Sequence, residues 1–299
     1  KKRRLVFMKI DIQPITKINL ENVVNFLKKD EKTCITLMSR FIKNGDIEIL
    51  PSYIKGYAFF SKNEIFGVLT ISEGGVVLHH FTKEFLNPEN PFFEELRRVI
   101  YLILGEYNIY SIIGDFDGTD FLTNIIKTEK SPKIQIPYTL MIFKEPNDKA
   151  FFKLPKDFSL KKCTKNDLDA LFTLQVAYEL VEVLPPGEDF NLDNCRLNLR
   201  HNLGIQHIFG IFSKSQNQFV AKAGTNAIGL NWVQIGGVFT SAKYRNLGLA
   251  CFLVNHISKF MSESKKSVAL FVKDSNEPAK KAYIKAGFEP DSKFCICYF

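Results

Sequence analysis

One short stretch, residues 244–250 (YRNLGLA), has residue types that can bind phosphate. It follows an apolar, strand-like segment and precedes a helical pattern. A helix N-terminus offers unpaired backbone N–H groups and partial positive charge. Gly248 would let the backbone approach a bulky anion, Ala250 would keep the first helical turn narrow, and Arg245 would add a permanent charge. The same letters suit an ordinary strand-to-helix turn, so the stretch alone leaves both interpretations open.

A second stretch, residues 276–288, supplies a group that could transfer a proton. Ala279, Ala282, Tyr283 and Ala286 fall on one face of a predicted helix. Three small side chains leave room for a ligand, and the phenol among them could donate a proton into that space. The alternative is a core tyrosine packed against alanines. The first stretch, one strand earlier, favours the proton donor.

The elements that would position these stretches form a mixed α/β pattern in the C-terminal half. A capping box at Thr164 and Asp167 opens a first helix, and a three-stranded antiparallel meander precedes the YRNLGLA stretch. The predicted helices are 164–180, 249–260 and 278–286, and the predicted strands are 158–160, 205–212, 219–223, 232–239, 268–272 and 294–299. Residues 56–143 repeat this order more loosely, with prolines and no glycine where the YRNLGLA equivalent would fall.

Together the two stretches closely resemble the two signature motifs of the GNAT acyltransferase superfamily. The positions that carry the resemblance are Thr240, Tyr244, Arg245, Gly248, Ala250, Leu270, Val272, Asn276, Ala279, Tyr283, Lys285, Gly287 and Phe288. The resemblance is strong over residues 230–290 and weak in the N-terminal half. It implies an α/β (mixed α+β) fold of two GNAT-like domains, each a mixed, mostly antiparallel twisted sheet flanked by helices. The expected division is a degenerate domain over 1–150 and a catalytic domain over 151–299, with the boundary near Ala150.

The resemblance also implies acetyl-CoA as the acyl donor, held where two strands splay apart. Backbone groups of Val238, Phe239 and Thr240 would bind the pantetheine and the acetyl carbonyl. Asn276 would bind the pantetheine arm, and Tyr283 would be the general acid that protonates the departing thiolate. The turn that would wrap the pyrophosphate comprises Arg245, Asn246, Leu247, Gly248, Leu249 and Ala250.

The implied reaction is direct attack of an amine on the thioester, which requires a base because amines are protonated at neutral pH. Glu179 and Glu182 lie in an acidic segment that follows the first helix, where the acceptor site of the family is usually shaped. Both are candidate bases. A solvated acidic helix face is the alternative for either residue alone.

Composition limits the classes of partner. The net charge is +8, of which residues 151–299 carry +6 (19 Lys/Arg against 13 Asp/Glu). This suits a phosphate-bearing ligand in the second half, but the basic residues are scattered, which argues against nucleic acid. The six cysteines show no disulfide pattern, and the histidines lack metal-ligand spacing. No apolar run approaches the length of a membrane span, so a cytoplasmic protein with no metal site is expected.

The sequence therefore predicts an acetyl-CoA-dependent N-acetyltransferase acting on a small-molecule or peptide amine. A non-catalytic CoA-binding sensor or interaction module is the competing hypothesis, which the retention of Tyr283 disfavours. An aminoacyl-tRNA donor is a third possibility, disfavoured by the intact pyrophosphate turn. Neither the acceptor nor the oligomeric state can be read from the sequence.

Overall fold

Packing divides the chain into two units. The computed structural model describes residues 9–127, 130–144, 154–185 and 187–299. One unit contains the described residues up to Tyr138 together with Ser292–Phe299, and the other contains those of Thr139–Asp291. The predicted boundary near Ala150 lies outside the described residues. The packing division instead falls inside two strands, and the last eight residues group with the first unit.

Helices and strands alternate along both units, as the mixed α/β prediction requires. The helices are α1 (Leu20–Lys28), α2 (Ile35–Ser39), α3 (Phe93–Gly105), α4 (Phe116–Ile126), α5 (Leu168–Tyr178), α6 (Leu192–Ile205), α7 (Leu249–Glu263) and α8 (Glu277–Lys285). The strands are β1 (Asp11–Pro14), β2 (Ile42–Lys43), β3 (Asp46–Ile47), β4 (Ile54–Ser61), β5 (Glu64–Ser72), β6 (Val76–Phe81), β7 (Ser111–Asp115), β8 (Ile134–Phe143), β9 (Phe158–Cys163), β10 (Ile208–Ser213), β11 (Gln218–Ile228), β12 (Trp232–Thr240), β13 (Ser267–Lys273) and β14 (Phe288–Tyr298). Across the described ranges, no helix is long and apolar enough to cross a bilayer.

The second unit contains the predicted antiparallel meander. Strands β9 to β12 are antiparallel neighbours, and β13 lies parallel to β12 after the crossover through α7. The apolar face of α7 packs on these strands, with Leu253, Val254 and Ile257 fully buried. This burial explains why the three-and-four spacing of apolar residues predicted α7 correctly.

The parallel pair β12 and β13 separates partway along its length. Their ladder runs from Trp232 opposite Ser267 to Ile235 opposite Leu270 and ends there. Beyond Ile235, β12 continues to Thr240 along β11 alone. The two strands therefore part at the middle of β12, as the resemblance implied.

The first unit repeats this arrangement. Antiparallel strands β1, β4, β5 and β6 lead to β7, which lies parallel to β6 after the crossover through α3. Residues 294–298 of β14 pair antiparallel with β7. Leu69, Ile100 and Ile112 are fully buried in the core of this unit. The prediction of a mixed α/β fold with a mostly antiparallel sheet flanked by helices is confirmed.

One strand prediction is wrong at its start. Ile205, expected to open a strand, is the last residue of α6, and the strand begins at Ile208. The side chain of Asn191 caps α6 by accepting a hydrogen bond from the Asn194 N–H. The buried face of this helix repeats every fourth residue, with Cys195, Leu199 and Leu203. The polar residues between them hid this narrow apolar stripe. Helices α1, α2 and α4 were also not predicted.

Candidate active site

The separation of β12 from β13 coincides with a β-bulge. On β12, Gly237 and Val238 together oppose the single residue Ala223 of β11. Gly237 has a positive φ of 60°, which favours glycine at the first position of such a bulge. The bulge turns the backbone of residues 237–240 relative to the ladder. Val238, Phe239 and Thr240 of this segment are the residues expected to bind the pantetheine and the acetyl carbonyl.

The three residues predicted to bind the pantetheine through their backbone lie at the bulge and directly after it. Phe239 is buried, whereas Val238 and Thr240 are half-buried. The Oγ1 atom of Thr240 is shielded from solvent and has no hydrogen-bond partner among the described residues. A buried hydroxyl without a partner is costly, so a polar ligand at this end of β12 would stabilise it.

The YRNLGLA stretch forms a turn that opens onto the N-terminus of α7. A 3₁₀ turn over Ala242–Tyr244 leads to two left-handed residues, Asn246 at φ 64° and Gly248 at φ 75°. Helix α7 begins at Leu249, and within the described ranges no side chain caps it. The N–H groups of the first turn, at Leu249 and Ala250, therefore have neither an intrahelical acceptor nor a capping side chain.

The remaining residues of this turn face solvent. Arg245, Asn246 and Leu247 are exposed, and the Nε atom of Arg245 donates to the Thr240 carbonyl at 3.4 Å. The turn thus combines an uncapped helix N-terminus, a left-handed glycine and an accessible guanidinium, which is the arrangement that suits a phosphate group.

Helix α8 places Tyr283 at the interior of the second unit. The Asn276 Oδ1 atom accepts from the Ala279 N–H at 3.1 Å and so caps the helix, which leaves the Asn276 amide NH₂ for a ligand. The Tyr283 ring is 7% exposed and lies 6.4 Å from the ring of Phe288. Burial, together with the nearby Tyr178 and Glu182, raises the pKa of Tyr283 well above its ordinary value. The phenol therefore stays protonated at neutral pH.

The two candidate bases lie in a π-helical turn, Glu179–Val183, that continues α5. The Leu184 N–H donates to the Glu179 carbonyl at 2.8 Å, the i to i+5 bond of such a turn. Glu182 lies beside the end of β13, where Lys273 Nζ is 2.8 Å from its carbonyl oxygen and 3.5 Å from its carboxylate. π-Turns within helices are frequent at functional sites because they redirect side chains.

Glu179 points to a different set of partners. Its carboxylate accepts from Gln175 Nε2 at 2.8 Å. It is also hydrogen-bonded to the thiol of Cys195 on α6, where burial and this carboxylate raise the thiol's pKa to about 12. The structure therefore separates the two glutamates, with Glu182 beside Lys273 and near Tyr283, and Glu179 against α5 and α6.

Sequence reasoning missed two residues that join these parts. The ring of Tyr178 packs edge-on against the ring of Phe239, with 6.1 Å between the ring centres. Tyr178 also contributes to the raised pKa of Tyr283. Lys222 of β11 is 5% exposed, donates from Nζ to the Gly237 carbonyl at 3.1 Å, and lies 4.3 Å from the Tyr178 ring centre. A lysine inside the apolar strand FVAKA was the signal that could have revealed it.

Comparisons with known proteins agree with this geometry. Residues 208–296 match the FR47-like protein family, a span that includes β12, the turn and α8. No curated protein sequence matches the chain. The match therefore covers the part of the chain that holds all the predicted residues except Glu179 and Glu182.

Solved structures extend the similarity to nearly the whole chain. A GCN5-related N-acetyltransferase from Sphaerobacter thermophilus has a TM-score of 0.60 at 10% identity and covers 96% of this chain and 94% of its own. A tandem GNAT protein from the clavulanic acid biosynthesis pathway has a TM-score of 0.59 at 10% identity, with 97% and 98% covered. A GNAT-family acetyltransferase from Colwellia psychrerythraea has a TM-score of 0.52 at 13% identity, with 96% and 98% covered. The chain thus has the GNAT fold and an FR47-like C-terminal part, which confirms the predicted resemblance to the GNAT superfamily.

Proposed function

We propose that the protein is an acetyl-CoA-dependent N-acetyltransferase that moves an acetyl group to a primary amine by direct attack. The GNAT fold and the FR47-like match favour acyl transfer in general. The observation that carries the proposal is the separation of β12 from β13 at the bulge, with an anion-binding turn at the end of β12 and a buried, protonated Tyr283 nearby.

The residues present fit the acyl donor. The backbone of Val238, Phe239 and Thr240 would bind the pantetheine and the acetyl oxygen, and the buried Thr240 hydroxyl would gain a partner there. The NH₂ group of Asn276 would bind the pantetheine arm. The exposed turn from Arg245 through Asn246, Leu247, Gly248, Leu249 and Ala250 would bind the pyrophosphate.

Two bond changes and two proton transfers complete the reaction. The amine nitrogen forms a bond to the thioester carbon, and the carbon–sulfur bond breaks. A base removes the proton that the amine must lose, and Tyr283 gives its proton to the departing sulfur. The chain's role is to hold the carbonyl oxygen against backbone N–H groups while these protons move.

Glu182 is the better placed of the two candidate bases. Its carboxylate acts electrostatically on Tyr283, so it lies near the atoms that react. Both carboxylates have partners, Gln175 and Cys195 for Glu179 and Lys273 for Glu182, but only Glu182 acts on Tyr283. We therefore assign the proton transfer to Glu182, directly or through water, and give Glu179 a role in shaping the acceptor side.

Calorimetric titration with acetyl-CoA, followed by thiol release against a panel of amines, tests the proposal. We expect saturable acetyl-CoA binding and release of free thiol that depends on the amine. No binding to the purified protein would refute the assignment of the donor site. Binding without turnover on any amine would instead favour a CoA-binding sensor.

A further inference from the structure

A polar pocket lies on the α5 and α6 face of the second unit, directly behind the bulge. It opens to solvent, and its walls come from α5, α6, β10, β11 and β12. Gly236 and Gly237 form part of its wall, so the pocket adjoins the β12 segment proposed to hold the thioester. A Cβ added at Gly236 would lie 2.8 Å from Asn226 Cβ, and one at Gly237 would lie 3.2 Å from Lys222 Nζ, so the two glycines let these side chains approach the β12 backbone.

Lys222 is the charged residue of this pocket. Among the described residues that line it, no other carries a formal charge. The Nζ atom has three N–H donors, of which the structure pairs one, with the Gly237 carbonyl. Its remaining neighbour is the Tyr178 ring, and no carboxylate of the described chain reaches ion-pair distance. Glu179 acts electrostatically on the cation from beyond that distance, so no counter-ion is in direct contact with it, an arrangement that suits an anionic ligand.

The rest of the lining is rich in hydrogen-bonding groups. The side chains of Asn202, Gln206, Thr225 and Asn226 border the pocket beside Lys222. Amides and hydroxyls of this kind orient a small polar ligand but supply no further positive charge. One cation with neutral partners matches a carboxylate, which carries one negative charge, better than a phosphate monoester, which carries about two.

We propose that this pocket binds the carboxylate of the amine acceptor through Lys222, so that the acceptors are amino acids or short peptides. The inference rests on the proposed acetyl transfer, because it places the acceptor amine at the bulge. Lys222 is then the residue that determines acceptor specificity. Its bond to the Gly237 carbonyl would keep the bound acid beside the segment that carries the thioester.

Matched pairs of amines, with and without a carboxylate, test this specificity. Alanine is compared with ethylamine, and phenylalanine with 2-phenylethylamine, in thiol release from acetyl-CoA. We expect kcat/KM to favour the amino acid by about 10- to 100-fold, because a charge-assisted bond in a buried site is lost without the carboxylate. In Lys222→Met, which keeps the chain length but not the charge, the ratio should fall to the preference that the lower amine pKa of an amino acid produces by itself, while acetyl-CoA affinity is retained.

The pH dependence provides an independent readout. Burial lowers the pKa of Lys222 to about 8, opposed by Glu179, Cys195 and Cys163. The cation is therefore present below pH 8 and is lost above it. The wild-type preference for amino acids, measured as the ratio of kcat/KM values within a pair, should therefore decline as the pH rises past 8. A ratio that does not change with pH would contradict the role of Lys222.

Equilibrium binding separates failure of this inference from failure of the proposed function. Binding of 3-phenylpropionate and 3-phenylpropanol, which have no amine, is measured in the presence of CoA. If the wild type binds the acid more tightly than the alcohol and Lys222→Met does not, carboxylate binding in this pocket is supported even if no amine is acetylated. Equal binding within the pair, or preference for phosphoethanolamine over amino acids in turnover, would overturn it. If Lys222→Met does not fold, the wild-type pairs alone decide.

Discussion

At the scale of single residues, Tyr283 is a buried tyrosine whose hydroxyl stays protonated. Its neighbours Tyr178 and Glu182 both oppose ionisation of the phenol, and burial does so most strongly. A phenol held in this state cannot act as a base near neutral pH, but it can give its proton to a thiolate.

Replacement of Tyr283 by phenylalanine should separate chemistry from binding. Removing the hydroxyl leaves the ring packed against Phe288, so we expect unchanged acetyl-CoA affinity and a kcat lower by about 100-fold. Steady-state thiol release and calorimetry measure the two quantities. Tyr298→Phe, at a half-buried tyrosine of the first unit, is the control and should leave both unchanged. An unaffected rate in Tyr283→Phe would remove the proposed acid.

At the scale of elements, the turn between β12 and α7 is built from backbone conformation. Asn246 and Gly248 both have positive φ, and the helix that follows has no capping side chain in the part described. A large residue at Gly248 would meet two penalties, the strained φ and the volume placed against the pyrophosphate. The turn should therefore tolerate little change at this position.

Gly248→Trp should weaken acetyl-CoA binding by more than about tenfold, because the side chain would occupy the space of the pyrophosphate. Calorimetric titration measures the affinity. Gly45→Trp is the matched control, since Gly45 also has a positive φ, of 92°, and a Cβ added there would have no described atom within 4 Å. Equal affinity in Gly248→Trp and wild type would mean that the stretch is only a turn.

The sequence predicted this element and not the pocket beside it, for a physical reason. The turn and α8 are local, so the glycine, the proline and the helical spacing of residues 276–288 were sufficient to place them. The contact of Lys222 with Tyr178 and Gly237 depends on the register of β11 against β12 and on the π-turn after α5. Neither the β-bulge that shifts this register nor the π-turn follows from the alternation of apolar residues in a single sequence. Helix α6 was missed for a different reason, because its buried apolar stripe is narrow.

At the scale of the whole molecule, the first unit also has a parallel strand pair, β6 and β7. Its own side chains occupy the space beyond the point where the ladder between these strands ends. The ladder of β6 and β7 ends at Leu78 and Ile113. The next residue, His79, is buried, and its ring packs so closely on Gly114 and Gly118 that a Cβ at either position would lie about 2.5 Å or less from it. This supports the hypothesis that only the second unit binds the acyl donor.

His79 should also make the protein sensitive to acid. Burial lowers the pKa of His79 to about 4, and the pKa of His80 is lowered as well. The unfolded chain binds these protons near pH 6.5, so stability is complete above that pH and falls as pH decreases towards 4. The His79 contribution is about 2 kcal/mol between pH 7 and pH 5. Denaturant unfolding at the two pH values should show a smaller loss in His79→Gln than in wild type.

The control for this prediction is His201→Gln, because His201 is exposed on α6. It should lose as much stability as wild type on acidification. In His79→Gln, the introduced amide can still bond the Thr119 hydroxyl that lies 3.0 Å from His79 Nε2, which favours a folded variant. An identical pH dependence in His79→Gln and wild type would show that other groups govern the acid response.

The pairing of residues 294–298 with β7 has a consequence for biosynthesis. The ribosome makes β7 early, but its partner emerges only after the entire second unit has been translated. Until then the backbone of β7 at this edge lacks residues 294–298 as its partner, and an exposed strand edge can pair with other chains. The first unit therefore completes its sheet last although its synthesis begins first. A chain truncated after Asp291 lacks this partner, as the incomplete nascent chain does, and should therefore bind chaperones or aggregate.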